Sequence, residues 1–470
     1  MISAIALDLG STTIKAGLLD QHGILGSIVV EHAPAVGRNG GRYESDALAY
    51  AVIADRVLQR CLAQTAELPP LGLCSQRSSF LIWEKDSGIP VTPLISWQDN
   101  RGEQSCTALY AREPLITELT GLRLTPYYFA PKLQTVLQEN PHLRSRLLSG
   151  ELLTGTLDSF MIWRWTGGSE HLTDVSMAAR TLLLDVHCQQ WSPVLCDLFG
   201  IPPGILPVIK PSTGLNVRLM NGLTLQASLG DQSAALVASV GEDSEVALVN
   251  LGTGGFVIRY LDEKREPADG YLRTLVYQDN VTDTHIAIEG TLNSIAAALA
   301  PYPVADCKIE EMAAIEDIYC LAEPSGLGAP YFRSDLGMQF SAPTDQLAPG
   351  QIACLLLEAI VFRVLRIIED FHRNAAIKRV YLSGGLSGLN CLQQGIAQCL
   401  MSANPACEVF RLQQRETSLQ GAAMLAARLT QAHGLAHGKD AEKIMGCCKG
   451  SALVEKYLNW KQWLDALLKA

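Results

Sequence analysis

The apolar positions of this chain fall in short continuous runs that stop at glycine and hydroxyl residues, the pattern of buried strands ending in tight turns. Ile2 to Asp8 is one such run, closed by an acid and followed by Gly10 and the hydroxyl residues Ser11, Thr12 and Thr13; Gly17 to Asp20 then leads to a second run, Ile24 to Val30. The phrase predicts a β-hairpin. It returns later in the chain as Glu245 to Asn250, Leu251-Gly252-Thr253-Gly254-Gly255, and Phe256 to Tyr260. A strand, turn and strand used twice predicts an internal duplication into two related halves.

Helical and strand patterns alternate between the hairpins. Leu48 to Ala66 reads as a helix, Leu71 to Ser75 and Ser79 to Glu84 as strands, and Pro131 to Glu139 as a helix. The second half repeats the habit with a long helix over Gln351 to Asn374, a strand over Arg379 to Leu382 and a helix over Leu389 to Met401. This alternation predicts an α/β architecture of mixed sheets in two lobes. Thr417 to Ala432 and the tail Ala452 to Leu468 read as packing helices without chemistry. The expected division is 1–234, 235–435 and a helical tail 436–470.

Composition narrows the class. The chain has 470 residues, too many for one compact core, and its 48% hydrophobic and 18% charged content belongs to a core-forming globular protein. The net charge is −11 with no lysine-rich block, which excludes a generic nucleic-acid or anionic-membrane surface. An anionic ligand must therefore be held locally, by backbone amides and a metal. Glu358 and Arg363 interrupt the apolar run from Ala353 to Leu365, so no segment reaches membrane-spanning length, and the opening MISAIALDLGS lacks the basic region of a signal peptide. The 13 cysteines are odd in number and irregular in spacing, and Cys61, Cys74, Cys354 and Cys399 sit in apolar runs. They read as buried thiols of a cytoplasmic protein, and the adjacent Cys447 and Cys448 lack the second pair that zinc would need.

Three phrases carry candidate chemistry. Asp8-Leu9-Gly10-Ser11-Thr12-Thr13-Ile14-Lys15 places a carboxylate beside a turn of amides and hydroxyls, which suits a phosphate and a hydrated Mg²⁺; Gly252-Thr253-Gly254-Gly255 offers a second such turn. Asp231 stands where the apolar run Thr224 to Leu229 gives way to an alanine-rich helix, as either a helix cap or a base that accepts a hydroxyl proton during phosphoryl transfer. Gln76 and Arg77 put an amide and a guanidinium in one turn, a donor set for a hydroxyl-rich ligand, with Trp97 and the Tyr127-Tyr128 pair downstream as pocket walls or core.

Together these phrases resemble the FGGY family of carbohydrate kinases, its glycerol kinase branch most closely. The resemblance runs through nearly the whole chain in preserved order: ALDLGSTTIKAG, SQRSSFLIWEKDSGIPVTPLISWQD, GTLDSFMIWRWTGG, LTDVSMAARTLL, GDQSAAL, LGTGGF, SGLGAPYF, LSGGLSGLN and ETSLQGAAMLAA. It implies a duplicated, two-lobed fold of the actin, hexokinase and Hsp70 type, ribonuclease H-like, with a cleft between lobes, and transfer of the γ-phosphoryl of ATP to a sugar or polyol hydroxyl. On this resemblance Gly10, Ser11, Thr12, Thr13, Lys15, Gly252 and Thr253 line the phosphates, Gly384 and Gly385 support the adenosine, and Asp8 joins Asp231 around Mg²⁺. Gln76, Arg77, Ser78, Trp97, Tyr127, Gln232 and Phe256 surround the acceptor, and Asp231 is the general base.

The chain departs from the glycerol kinase pattern in four places. Ser78 stands where that branch has a glutamate that binds an acceptor hydroxyl, which points away from glycerol and toward a larger polyol or a ketose. Lys210 to Asn221 lacks the glycine-rich loop that binds fructose 1,6-bisphosphate; Phe129 and Thr135 replace a serine and a tryptophan; Asn293 to Tyr319 is shortened beside the expected adenine. The resemblance also allows glycerol kinase proper, a homodimer, and homologues that have become an ATPase or a sugar sensor without turnover.

Overall fold

The computed structural model describes residues 1–241, 243–261, 270–279, 283–413, 416–429, 441–445 and 451–469. The chain forms two compact units, the first from Met1–Gly241, Arg273–Ile286 and Glu416–Gly434, the second from Glu242–Leu272, Ala287–Arg415 and Leu435–Ala470.

The first unit is built on a six-stranded sheet in the order Thr213–Arg218, Thr224–Gly230, Leu71–Ser75, Ile2–Leu9, Thr13–Asp20, Leu25–His32. The predicted hairpin is its antiparallel half, with Asp8 opposite Lys15 and Leu9 opposite Ile14. Ile2–Leu9, Leu71–Ser75 and Thr224–Gly230 run parallel, and Leu9, Ser75 and Gly230 stand level in register. The central strands are buried on both faces, which is why they read as unbroken apolar runs rather than alternating ones. The helix Ala47–Leu62 covers one face with Tyr50, Ala51, Ala54, Val57 and Leu58. A second, five-stranded sheet containing Phe80–Glu84 and Leu152–Thr156 packs with the helix Phe129–Glu139 around Phe80, Phe129 and Leu133.

The first unit is completed by a segment from far along the chain. The helix Thr417–Ala426, expected from sequence to belong to the 235–435 half, lies on the helix Asp231–Val240 and on Leu71–Ser75. Small residues make this possible: a Cβ on Gly421 would stand 1.9 Å from the Ala234 carbonyl oxygen, and one on Gly72 2.1 Å from that of Ala422. An alanine-rich stripe thus serves backbone-to-backbone approach rather than ordinary core filling.

The second unit repeats the plan. In a seven-stranded sheet, Gly255–Leu261, Val246–Leu251, Arg379–Ser383, Glu408–Leu412 and Ala441–Lys443 follow in that order. Val246–Leu251 is antiparallel to Gly255–Leu261 and parallel to Arg379–Ser383, which is parallel to Glu408–Leu412. This reproduces the hairpin plus two parallel strands of the first unit. The long helix Pro349–Asn374 fills the core, and the two charges that interrupt its apolar pattern are buried in pairs, Glu358 with Lys456 at 2.5 Å and Arg363 with Glu323 at 2.6 Å. The tail helix Ser451–Lys469 packs here through Trp460, whose indole donates to the Cys320 carbonyl at 2.9 Å.

Cys61, Cys74, Cys354 and Cys399 are buried and unbridged, as expected, while Cys447 and Cys448 lie outside the described residues. Among the described residues no helix is long and apolar enough to cross a membrane.

Because the Gly421 contact leaves no room for a methyl group, Gly421→Ala is expected to cost about 1–3 kcal/mol by overpacking. Gly204→Ala, where a Cβ meets nothing within 4 Å, serves as the neutral control in urea unfolding.

Candidate active site

The level register of three parallel strands delivers four of the expected site residues to one edge of the first unit's sheet. Asp8 is the penultimate residue of Ile2–Leu9, Gln76 and Arg77 follow Leu71–Ser75, and Asp231 follows Thr224–Gly230. Ligands gather at such carboxyl ends because the chain there leaves the sheet as loops and helix starts.

Asp8 is buried. One carboxylate oxygen accepts from the Ser418 hydroxyl at 2.8 Å, and the other, also buried, has no hydrogen-bond partner. Lost hydration, and next the negative charge of Asp231, push its pKa up to about 6 against the pull of Ser418 and Lys15. Asp231 opens the helix Asp231–Val240, whose cap position is Gly230, so it is not the cap that its sequence setting allowed. Its Oδ1 accepts from the Gln232 amide at 2.7 Å and lies 3.7 Å from Arg77 Nε, too long for a hydrogen bond. The carboxylate therefore has an oppositely charged neighbour at ion-pair distance. Its side chain is 32% exposed, and lost hydration raises its pKa while Arg77 opposes the rise. The chain just before it is fixed, since the Gly230 amide donates to Ser176 Oγ, which donates to the buried Asp174.

The expected acceptor residues of this unit fall into a bound group and an open group. Gln76 and Ser78 are buried: Ser79 Oγ donates to Gln76 Oε1 at 2.8 Å and accepts from the Trp97 amide at 2.9 Å, while Ser78 Oγ donates to the Arg180 carbonyl at 2.8 Å. Trp97 at 39% and Tyr127 at 51% keep exposed rings, and Gln232 is exposed. In the glycine and hydroxyl turn, Tyr50 donates to the Gly10 carbonyl at 2.7 Å and Ala33 to that of Thr12 at 3.0 Å, which leaves Ser11, Thr12 and Thr13 at the surface of a pinned bend. Lys15, expected beside phosphate, is paired with Glu416 at 2.5 Å.

The second unit brings its own candidates together. Gly252 and Thr253 follow one parallel strand and Gly384 and Gly385 the next, with Asn250 level with Ser383. Gly384 has φ +87°, and a Cβ on it would stand 2.4 Å from the Leu251 carbonyl oxygen, so only glycine lets the two turns meet. Thr253, Gly384 and Gly385 are exposed, and Phe256 pairs with Asn250 across the hairpin.

Tyr50, Ser79, Ser176, Glu416 and Ser418 escaped the sequence reading. Glu416 and Ser418 lie inside the phrase ETSLQGAAMLAA, but Ser418 is 410 positions from Asp8 and nothing local couples them. Asp8 and Asp231 suit a hard divalent cation, because one buried carboxylate oxygen lacks a partner and the two like charges raise each other's cost. No group of three or more His, Cys, Asp or Glu side chains able to hold a metal is found among the described residues, so water and phosphate would complete the shell.

Comparison with known proteins places the chain among carbohydrate kinases. Residues 3–250 match the model of the N-terminal domain of the FGGY family of carbohydrate kinases, and residues 247–430 that of its C-terminal domain. An apulose kinase of Pectobacterium atrosepticum is 30% identical over 97% of this chain and 96% of its own, and a glycerol kinase of Gloeobacter violaceus 32% identical over 90% and 87%. Among solved structures, Plasmodium falciparum glycerol kinase with ADP superposes with TM-score 0.85 at 22% identity, covering 99% of this chain and 98% of the other. A ligand-bound xylulose kinase of Lactobacillus acidophilus gives 0.80 at 18% over 99% and 98%. These likenesses carry the two-lobed, actin-like fold.

The burial of Asp8 has a measurable cost. A carboxyl with a folded pKa near 6 and an unfolded value of 3.8 destabilises the fold increasingly as pH rises between those values. Asp8→Asn is therefore expected to exceed the wild type in stability above pH 6, by up to about 3 kcal/mol, with the difference shrinking toward pH 4. Urea unfolding midpoints from pH 4 to 8 without divalent ions check it.

Proposed function

Because this chain belongs to the FGGY family of carbohydrate kinases and transfers a phosphoryl group from ATP to a sugar or polyol hydroxyl, we propose that Asp231 is the general base and that the acceptor is a ketose or polyol larger than glycerol. The observation that carries the first part is the state of Asp231, a carboxylate partly open to solvent, partly stripped of water, and held at ion-pair distance by Arg77. Such a group is placed to accept a proton as the hydroxyl attacks phosphorus. The Arg77 guanidinium and Gln76 amide orient the acceptor hydroxyls, and the rings of Trp97 and Tyr127 cover its carbon skeleton.

In the first unit the turn Gly10–Thr13 offers amides and hydroxyls to phosphate; in the second the turns at Gly252 and Thr253 offer the same chemistry, with Gly384 and Gly385 beside them to support the adenosine. Mg²⁺ would be held by Asp8 and Asp231 and would neutralise phosphate charge. Lys15, paired with Glu416, stands beside the phosphate turn as part of an ion pair. A ketose or larger polyol is supported by Ser78, whose small side chain replaces a carboxylate and spends its proton on the Arg180 carbonyl. The relative named for apulose points the same way.

ADP release with apulose, D-xylulose, D-ribulose and glycerol tests the reading. The wild type should release ADP in an acceptor-dependent manner, and Asp231→Asn should lower kcat by about 10²–10⁴-fold while nucleotide still binds. Near-normal turnover of the variant removes the base assignment; acceptor-independent hydrolysis, or binding without ADP, favours the ATPase or the sensor. Ser78→Glu is expected to raise kcat/KM for glycerol relative to the ketoses, and an unchanged ratio removes Ser78 from the pocket.

A further inference from the structure

Lys132 is wholly buried on the helix Phe129–Glu139, its ammonium 5.8 Å from the centre of the Phe80 ring. A lysine is almost never enclosed in this way, because its charge loses water and the apolar stem alone is better served by methionine or leucine. Here the ammonium donates to two backbone carbonyls, Ser78 at 2.8 Å and Ser96 at 2.9 Å.

These carbonyls belong to the two loops that carry the acceptor contacts. Ser78 closes the turn holding Gln76 and Arg77, and Ser96 immediately precedes Trp97. The strands behind the loops share a single register pair, Phe80 with Ile95, so the ladder itself fixes them weakly. Ser78 also sits at φ +63°, a left-handed conformation that a non-glycine residue keeps only when its surroundings hold it. Its hydroxyl is held by Arg180 and its carbonyl by Lys132. Finally, the helix bearing Lys132 begins directly after Tyr127 and Tyr128.

We propose that Lys132 is the positioning residue of the acceptor pocket, its ammonium joining the Arg77 loop, the Trp97 loop and the Tyr127 helix into one rigid unit. The proposal rests on the reading of these residues as the acceptor site. Lys132 touches no reacting atom and acts through the backbone alone.

The charged groups that bear on the ammonium are Asp99, which favours the charge, and Arg101, which opposes it; Asp99 is itself saturated by the Tyr43 amide and by Arg101. Lost hydration outweighs Asp99 and pushes Lys132 down to about 7. The neutral amine keeps two N–H donors, enough for both carbonyls, but bonds without charge assistance are roughly half as strong. The pocket should therefore loosen, without collapsing, as pH rises through neutrality.

The test separates acceptor from nucleotide. With whichever of apulose, D-xylulose and glycerol the wild type phosphorylates, Lys132→Met should raise the acceptor KM about tenfold or more while KM for ATP stays within about twofold. In the wild type the acceptor KM should climb between pH 6 and 9 at constant KM for ATP, and Lys132→Arg, which cannot lose its charge, should flatten that climb. The wild-type profile stands even if the methionine variant fails to fold. Equal rises in both KM values, or an acceptor KM in wild type and Lys132→Arg with the same pH dependence, overturn the proposal. A wild type that phosphorylates none of the acceptors removes the proposed acceptor class and this inference with it, whereas normal wild-type kinetics with an unaffected folded Lys132→Met removes only the inference.

Discussion

Everything at the candidate site follows from three parallel strands that stop at the same level. Leu9, Ser75 and Gly230 are neighbours in register, so the residues next to them along the chain, Asp8, Gln76 with Arg77, and Asp231, have no choice but to meet. The meeting is electrostatically unfavourable: two carboxylates share one poorly hydrated edge, and each would be easier to bury alone. Ser418, Lys15 and Arg77 offset part of that cost.

The offset depends on a helix that arrives late in the chain. Thr417–Ala426 presses its glycine and alanine face on the first unit's sheet, and its leading residues supply Glu416 to Lys15 and Ser418 to Asp8. The same small residues that allow the backbones to touch thus set the distance of two polar groups from the site. A packing stripe and a site-building element are here one object.

The duplication shows what each half was free to change. Asp8-Leu9-Gly10 and Asn250-Leu251-Gly252 occupy equivalent places, each at the end of a hairpin strand that has a parallel partner on its other side. The first copy has a carboxylate with an unpartnered oxygen; the second has an amide whose nitrogen donates to Ser383 Oγ at 3.0 Å. The two otherwise similar turns thus differ in charge, one ending in a carboxylate and the other in a neutral amide.

The local pattern determined the elements, because a strand buried on both faces must be apolar throughout and must end where glycine and hydroxyl residues begin. Leu71–Ser75 was legible to the residue, and the hairpins, the long helix Pro349–Asn374 and the repeated turn nearly so. The acids at strand ends, Asp8 and Asp231, stood out by position, and Trp97 and Tyr127 stood out as aromatics open to either a wall or a core role, of which the family resemblance chose the wall. What no local pattern contains is who stands beside whom. That the charge of Asp231 raises the pKa of Asp8, that Ser418 reaches Asp8 across 410 positions, and that Lys132 ends on two carbonyls rather than on a carboxylate were decided by strand order and helix docking. Those are long-range arrangements, fixed by packing that only the folded chain performs.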